Sequence, residues 1–193
     1  MLSIISPDQF KQIPWKNGKG VTTELAINDG GTLTNFEWRL SIASVVSDGE
    51  FSDFRGYWRN LVLISGEGIS LQHTFKGETN TDHLTQLLQL SNFDGGSKTQ
   101  GKLISGDIND LNIMTKTGKY RAKVSTYTEQ KSILIKPCDL CFVYSITDKL
   151  TVKSATEKTQ KLPAKHLLKI SSPRLNAIAI SGAMMIVIHL FKN

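Results

Sequence analysis

No apolar run in this chain approaches the roughly 20 residues that a membrane-spanning helix needs. The opening MLSIISPDQFKQIPW has no basic segment leading into a long apolar one. The chain therefore reads as having no signal peptide and no membrane partner, and is expected in the cytoplasm. Cysteine is scarce: Cys138 and Cys141, in CDLC, are the only two. A zinc site of this kind needs a second ligand pair, and no other C-x-x-C and no H-x-x-x-H is present. A thioredoxin-like site needs a helix after the first cysteine, but the FVYSIT that follows is strand-like. The two are read as ordinary reduced thiols in or beside a strand. Histidine is limited to His73, His83, His166 and His189, with no H-x-H. Imidazoles must converge on one ion to hold it, so no metal and no other cofactor is expected. No G-x-S-x-G elbow is present, and N-G-K-G lacks the spacing of a phosphate loop. No catalytic residue is assigned.

Charge of one sign is not concentrated either. The balance is 23 basic against 17 acidic residues, net +6. The densest basic run, Lys153 to Lys169, contains a glutamate, and the other lysines are spread out. A nucleic-acid binder gathers its charge on one face, so no nucleic-acid partner is expected.

What is there is a sequence of short β-type runs. VTTELAI, FEWRLSIASV, NLVLIS, GISLQHTF, DLNIMT, LCFVYSIT and MMIVIHLF are separated by NDGG, SDGE, SGEG, FDGGSK and KTGK. Such spacing predicts an all-β sandwich or barrel. SDGE and FDGG are read as chain reversals in which glycine allows positive φ. Helix is scarce. Ser6 to Lys11 reads as a helical turn with Ser6 as N-cap and Pro7 at the first position. Thr81 to Leu90, with apolar residues at 84, 87 and 88, reads as one short helix. The 193 residues suit one domain or two small, closely packed lobes, and no linker is long enough to separate independent domains.

Period-two alternation says which side chains share a face. Phe36, Trp38, Leu40 and Ile42 lie opposite Glu37, Arg39, Ser41 and Ala43. The first set goes to a core. The second puts Arg39 in mid-strand, where its charge must meet water or an anion. Thr22 and Glu24 share one face of their strand, and Asp110, Asn112 and Met114 share one face of theirs. If the sheet closes on itself, these polar faces converge on a pocket. Otherwise they face solvent.

Four segments taken together resemble the HutD/Ves family. They are WKNGKGVTTEL (15–25), FEWRLSIASVVSDGEFSDFRGYWRNLVLISGEGISL (36–71), FDG (93–95) and SGDINDLNIMTK (105–116). W-x-N-G, W-R-x-S-I-A, G-E-F-S and D-x-N-I-M, in that order, carry the likeness. It covers the first two thirds of the chain, and the rest matches only as strand-rich sequence. The resemblance implies a bicupin-like fold: two small antiparallel cupin barrels packed as one unit over 1–193, with lobes at 1–105 and 106–193. HutD-type members accompany histidine-utilisation genes, and Ves-type members are linked to stress or cold response. No catalytic activity holds across the family. The implied role is regulatory binding of a carboxylate or formylated intermediate of histidine breakdown. Three positions depart from the family pattern. Lys19 stands for a glycine, Trp58 for an acid before Arg59, and Gly96 for an acid after FDG.

The ligand site predicted from these readings comprises Trp15, Asn17, Arg39, Ser41, Asp110 and Asn112, supported by Thr22, Glu24, Arg59 and Met114. Arg39 can hold a carboxylate through two parallel hydrogen bonds. Ser41 adds a hydroxyl, Asn17 and Asn112 suit an amide or formamide, and Trp15 gives an apolar wall. Alternatively, Arg39 bridges strands to Glu24 or Asp110 as a structural ion pair. Arg59 is read as bonding turn backbone. Metal-dependent cupins hold their ion through histidines and a carboxylate. Lacking that set, this chain is expected to be a metal-independent binder. Two other functions stay open: a metal-independent isomerase or hydrolase with Glu24 or Asp110 as general base, and a protein-interaction module. Exposed sheet edges leave room for a homodimer.

Overall fold

The structure is a computed structural model that describes every residue except 16–19, 148, 156, 157, 172 and 174–176. The described residues include nineteen strands and a 3₁₀ turn, Pro7–Gln9. The chain divides into two compact units, Lys11–Tyr120 and Met1–Phe10 with Arg121–Asn193. The sequence reading set the lobes at 1–105 and 106–193. Residues 106–120 lie instead with the first unit, and residues 1–10 with the second.

The first unit is a pair of antiparallel sheets. One orders its strands β2 (Lys11–Pro14), β3 (Gly20–Ile27), β4 (Trp38–Val45), β11 (Ile108–Lys116), β6 (Tyr57–Ser65) and β9 (Leu90–Asp94). The other orders β5 (Gly49–Glu50), β10 (Lys98–Leu103), β7 (Ile69–Phe75) and β8 (Glu78–Leu84). Both contribute to one core: Ala43, Leu61, Leu63, Phe93 and Ile108 meet Ile69, Leu71 and Leu84.

The second unit repeats the plan. Its five-stranded sheet orders β1 (Leu2–Ile5), β17 (Leu167–Ser171), β14 (Leu140–Ser145), β19 (Met185–Lys192) and β12 (Tyr120–Tyr127). Its four-stranded sheet orders β13 (Lys131–Leu134), β18 (Ile178–Gly182), β15 (Leu150–Ser154) and β16 (Gln160–Leu162). Val143, Leu168 and Val187 pack with Leu150, Leu162 and Ile180 in its core. Each unit is thus a two-sheet sandwich of the cupin kind, the bicupin-like, all-β architecture expected from the sequence.

The expected turn at Ser6 is the 3₁₀ element, with Pro7 at its first position and the Ser6 N–H donating to Gln9 Oε1 at 3.0 Å. The helix expected over Thr81–Leu90 does not form. Leu84 instead ends β8 opposite Ile69. The turn after it is held by Thr85 and Gln86 N–H donating to Gln89 Oε1 at 2.6 and 3.0 Å. Leu88 sits at φ 70°, and its N–H donates to Leu63 O at 2.8 Å. The apolar spacing fits a helix, but those leucines serve strand pairing and the core.

The FDGG turn has a different reason for its glycine from the one expected. Gly95 is not among the positive-φ residues, and neither is Gly49 of SDGE. The Gly95 N–H donates to Tyr57 O at 2.8 Å, and its O accepts from Phe54 N–H at 2.8 Å. A Cβ there would meet Tyr57 O at 2.8 Å. Glycine lets the 51–57 loop lie against β9, and that loop carries the aromatic rings of the site below.

Candidate functional site

β11 is the middle of the site because it pairs on both sides. Asp110 lies opposite Ala43 of β4 and Leu63 of β6; Asn112 lies opposite Ser41 and Leu61; Met114 lies opposite Arg39 and Arg59. Directly opposed residues point to the same face. That face holds Leu61, Leu63 and Phe93, so it is the interior of the first unit. The polar face that the alternation left between pocket and solvent is therefore buried: Arg39, Ser41, Arg59, Asp110 and Asn112 are each at most 5% exposed.

Three of these residues form a chain. Arg59 donates from Nη2 to Asn112 Oδ1 at 2.8 Å, and from Nη1 to Ser52 O at 3.3 Å. Asn112 donates from Nδ2 to Asp110 Oδ1. The Arg59 guanidinium lies 5.1 to 5.5 Å from the ring centres of Phe51, Phe54 and Phe93, within cation–π range. Two buried polar atoms in this chain have no partner, Arg59 Nε and Asp110 Oδ2. Burial pushes the Asp110 carboxyl up to about 7, with Arg59 and the Asn112 bond pulling the other way. Burial also lowers Arg59 to about 10, with Asp110 opposing. Each charge is desolvated, and neither is fully compensated.

Arg39 takes the other course. Its Nε donates to Glu24 Oε2 at 2.7 Å, with both side chains largely buried. Glu24 lies opposite Ser41, and a register shift between Glu24 and Ala26 sets Ile27 rather than Ala26 opposite Arg39. Of the two partners proposed for Arg39, the ion pair is made with Glu24.

The remaining predicted residues sit around these groups. Trp15 donates from Nε1 to Thr22 Oγ1 at 2.8 Å, and its ring packs against the core. Gly20 makes room for it: a Cβ there would meet the Trp15 ring at 2.9 Å. Met114 is not polar lining; it packs with Phe36 and Tyr57. Asn17 lies outside the described residues. Arg59 does bond turn backbone, through Ser52, but it also anchors the polar chain. The sequence reading did not name Phe51, Phe54 and Phe93. The visible signal was F-S-D-F leading into an arginine strand.

A surface hollow of about 460 Å³ is lined by Leu33, Thr34, Asp53, Phe54, Arg55 and Tyr57. It does not reach Arg59, Asn112 or Asp110. Phe54 is shared between the hollow and the Arg59 shell.

The histidines are accounted for differently. His83 is exposed on β8, and His166 bonds Ala164 O at 2.9 Å. His73 is buried, stacked on Phe93 at 4.1 Å, with Nδ1 3.0 Å from Thr99 Oγ1 and Nε2 3.2 Å from Ser91 Oγ. Burial lowers its pKa, against the pull of Asp82.

The HutD family model matches residues 7–187. This chain belongs to the HutD family. It is 27% identical over 187 residues to an uncharacterised 21.2 kDa protein in the hutC 3′ region of Pseudomonas putida, covering 96% of each chain. It is 37% identical over 111 residues to Protein Ves of Citrobacter koseri, covering 57% of this chain and 56% of that protein. HutD from Pseudomonas fluorescens SBW25, solved in a formate condition, superposes with a TM-score of 0.81 at 28% identity over the whole of both chains. Oxalate decarboxylase of Lactobacillus farciminis, a formate complex, superposes at 0.63 with 10% identity, covering 98% of this chain and 86% of that one. That likeness is one of fold alone.

Proposed function

We propose that this HutD family member is a cytoplasmic, regulatory binding protein that senses a small carboxylate or formylated metabolite of histidine breakdown without using a metal. The observation that carries this reading is the buried Arg59–Asn112–Asp110 chain with its unpartnered Nε and Oδ2. A buried polar atom without a partner calls for an explanation, and a small anion supplies one here. Arg59 donates to it, and Asp110, titrating about 7, donates in its protonated form. The aromatic rings around Arg59 exclude water and strengthen both contacts. Arg39 contributes less than the sequence implied, because Glu24 already neutralises it.

The test is a thermal-shift screen of the full chain with formate, glutamate, N-formylglutamate and urocanate. A hit that raises Tm in the wild type and not in Arg59→Lys supports the reading. No response to any of the four, or an equal response in the variant, ends it.

A second reading rests on Asp110 itself. A carboxyl titrating about 7 is matched to proton transfer at neutral pH, which fits a metal-independent isomerase or hydrolase. Chemical turnover of any ligand found in the screen would favour this reading over sensing.

A further inference from the structure

The second unit brings together three groups that the sequence keeps apart. Cys141 on β14 lies directly opposite His189 on β19. Cys138 lies just before β14. The two sulfurs and a His189 ring nitrogen all lie within 4.8 Å of one another. Both cysteines are fully buried and unoxidised. His189 is 7% exposed, and neither of its ring nitrogens has a hydrogen-bond partner. A structural histidine satisfies at least one nitrogen when buried. This one does not.

We propose that Cys138, Cys141 and His189 form a buried site for a thiophilic metal ion, Zn(II) or Cu(I), held by two thiolates and one imidazole. Thiolate and imidazole are the donors that such ions select. Metal–ligand bonds of about 2.0–2.3 Å would place the donor atoms roughly 3.5–4 Å apart, so small side-chain rotations close the set. The thiols now donate to nearby carbonyls, Cys138 Sγ to Leu140 O at 3.4 Å and Cys141 Sγ to Phe142 O at 3.8 Å. Binding replaces two S–H bonds by two metal–sulfur bonds and releases two protons to solvent. Lys123 and Lys136 act electrostatically on His189, and its unpartnered ring nitrogens leave a lone pair to give. With Zn(II) the set is electrically neutral. With Cu(I) it carries one negative charge, which the two lysines offset. The sequence reading set CDLC aside for want of a second ligand pair. The fold supplies one imidazole instead, which suffices for a three-coordinate ion or for zinc with a fourth ligand from solvent.

The experiment uses the full chain, reduced and free of oxygen. Co(II), as a spectroscopic stand-in for Zn(II), and Cu(I) are titrated in separate arms. In at least one arm the expected result is saturation at one equivalent with a thiolate-to-metal charge-transfer band, about two protons released and both thiols protected from alkylation. The arm that binds identifies the ion. Cys138→Ser and Cys141→Ser should each lose the band. His189→Gln should keep a thiolate band but yield its metal to a chelator at least about tenfold more readily. No saturable band in either arm overturns the proposal, as does undiminished binding in the Cys138→Ser/Cys141→Ser double variant. If the cysteine variants fail to fold, the wild type decides: fewer than about two protons released at one equivalent of metal overturn the site.

Discussion

Arg39 and Glu24 are joined by a 2.7 Å ion pair between β3 and β4. Arg59, on the other side of Met114, makes no such pair among the described residues. The two arginines share a strand register and a buried face, but only one is neutralised by a carboxylate at bonding distance. For this reason the proposed anion site is centred on Arg59 rather than Arg39.

The pair itself makes a stability prediction. Removing one partner of a buried ion pair leaves the other charge desolvated and alone. Arg39→Met or Glu24→Gln should therefore each cost about 3 kcal/mol, the low end for such pairs. The double variant should cost clearly less than the sum of the two. Urea unfolding of all four proteins measures this coupling. Strictly additive costs would show that the pair contributes nothing beyond its parts.

Asp110 should make stability depend on pH. Its folded value, about 7, lies above the unfolded value near 3.8. Its stabilising contribution is then complete below pH 4 and is lost as pH rises through 7. Asp110→Asn cannot titrate. The difference in unfolding free energy between wild type and variant should slope across pH 4 to 7 and flatten outside that window. A flat difference curve would show that Asp110 ionises normally in the fold.

Arg59→Lys keeps a positive charge but loses the planar fork that reaches Asn112 and Ser52. It should abolish carboxylate-induced thermal stabilisation while the chain stays folded by circular dichroism. Arg39→Lys, whose charge is committed to Glu24, should retain most of the effect. The reverse ranking of the two variants would restore Arg39 as the anchor.

His73 should titrate below 6.5, because burial disfavours its charged form more than Asp82 favours it. Its neutral form then contributes stability that is present above the unfolded pKa and lost as pH falls through the folded one. A pH series of imidazole resonances, assigned with His73→Gln, reads the value directly. Titration at or above 6.5 would contradict the burial seen here.

Much of this was legible in the chain. Alternating apolar residues and punctuating turns announced an all-β protein. The register of D-L-N-I-M correctly placed Asp110, Asn112 and Met114 on one face, since period two is local and survives any tertiary arrangement. Thr81–Leu90 misled because 84, 87 and 88 also fit a helical period, and nothing local shows that Leu88 N–H is promised to Leu63.

The sequence by itself determined which residues alternate and which segments carry the family likeness. These depend on neighbours only a few positions away. Tertiary structure alone decided that Glu24 neutralises Arg39, that Phe51, Phe54 and Phe93 enclose Arg59, and that His189 meets Cys141. Those pairings come from strand order in the sheets, which joins segments far apart in the chain. Strand order is settled by how both sheet faces of each unit can be buried at once, a property no single stretch of sequence carries.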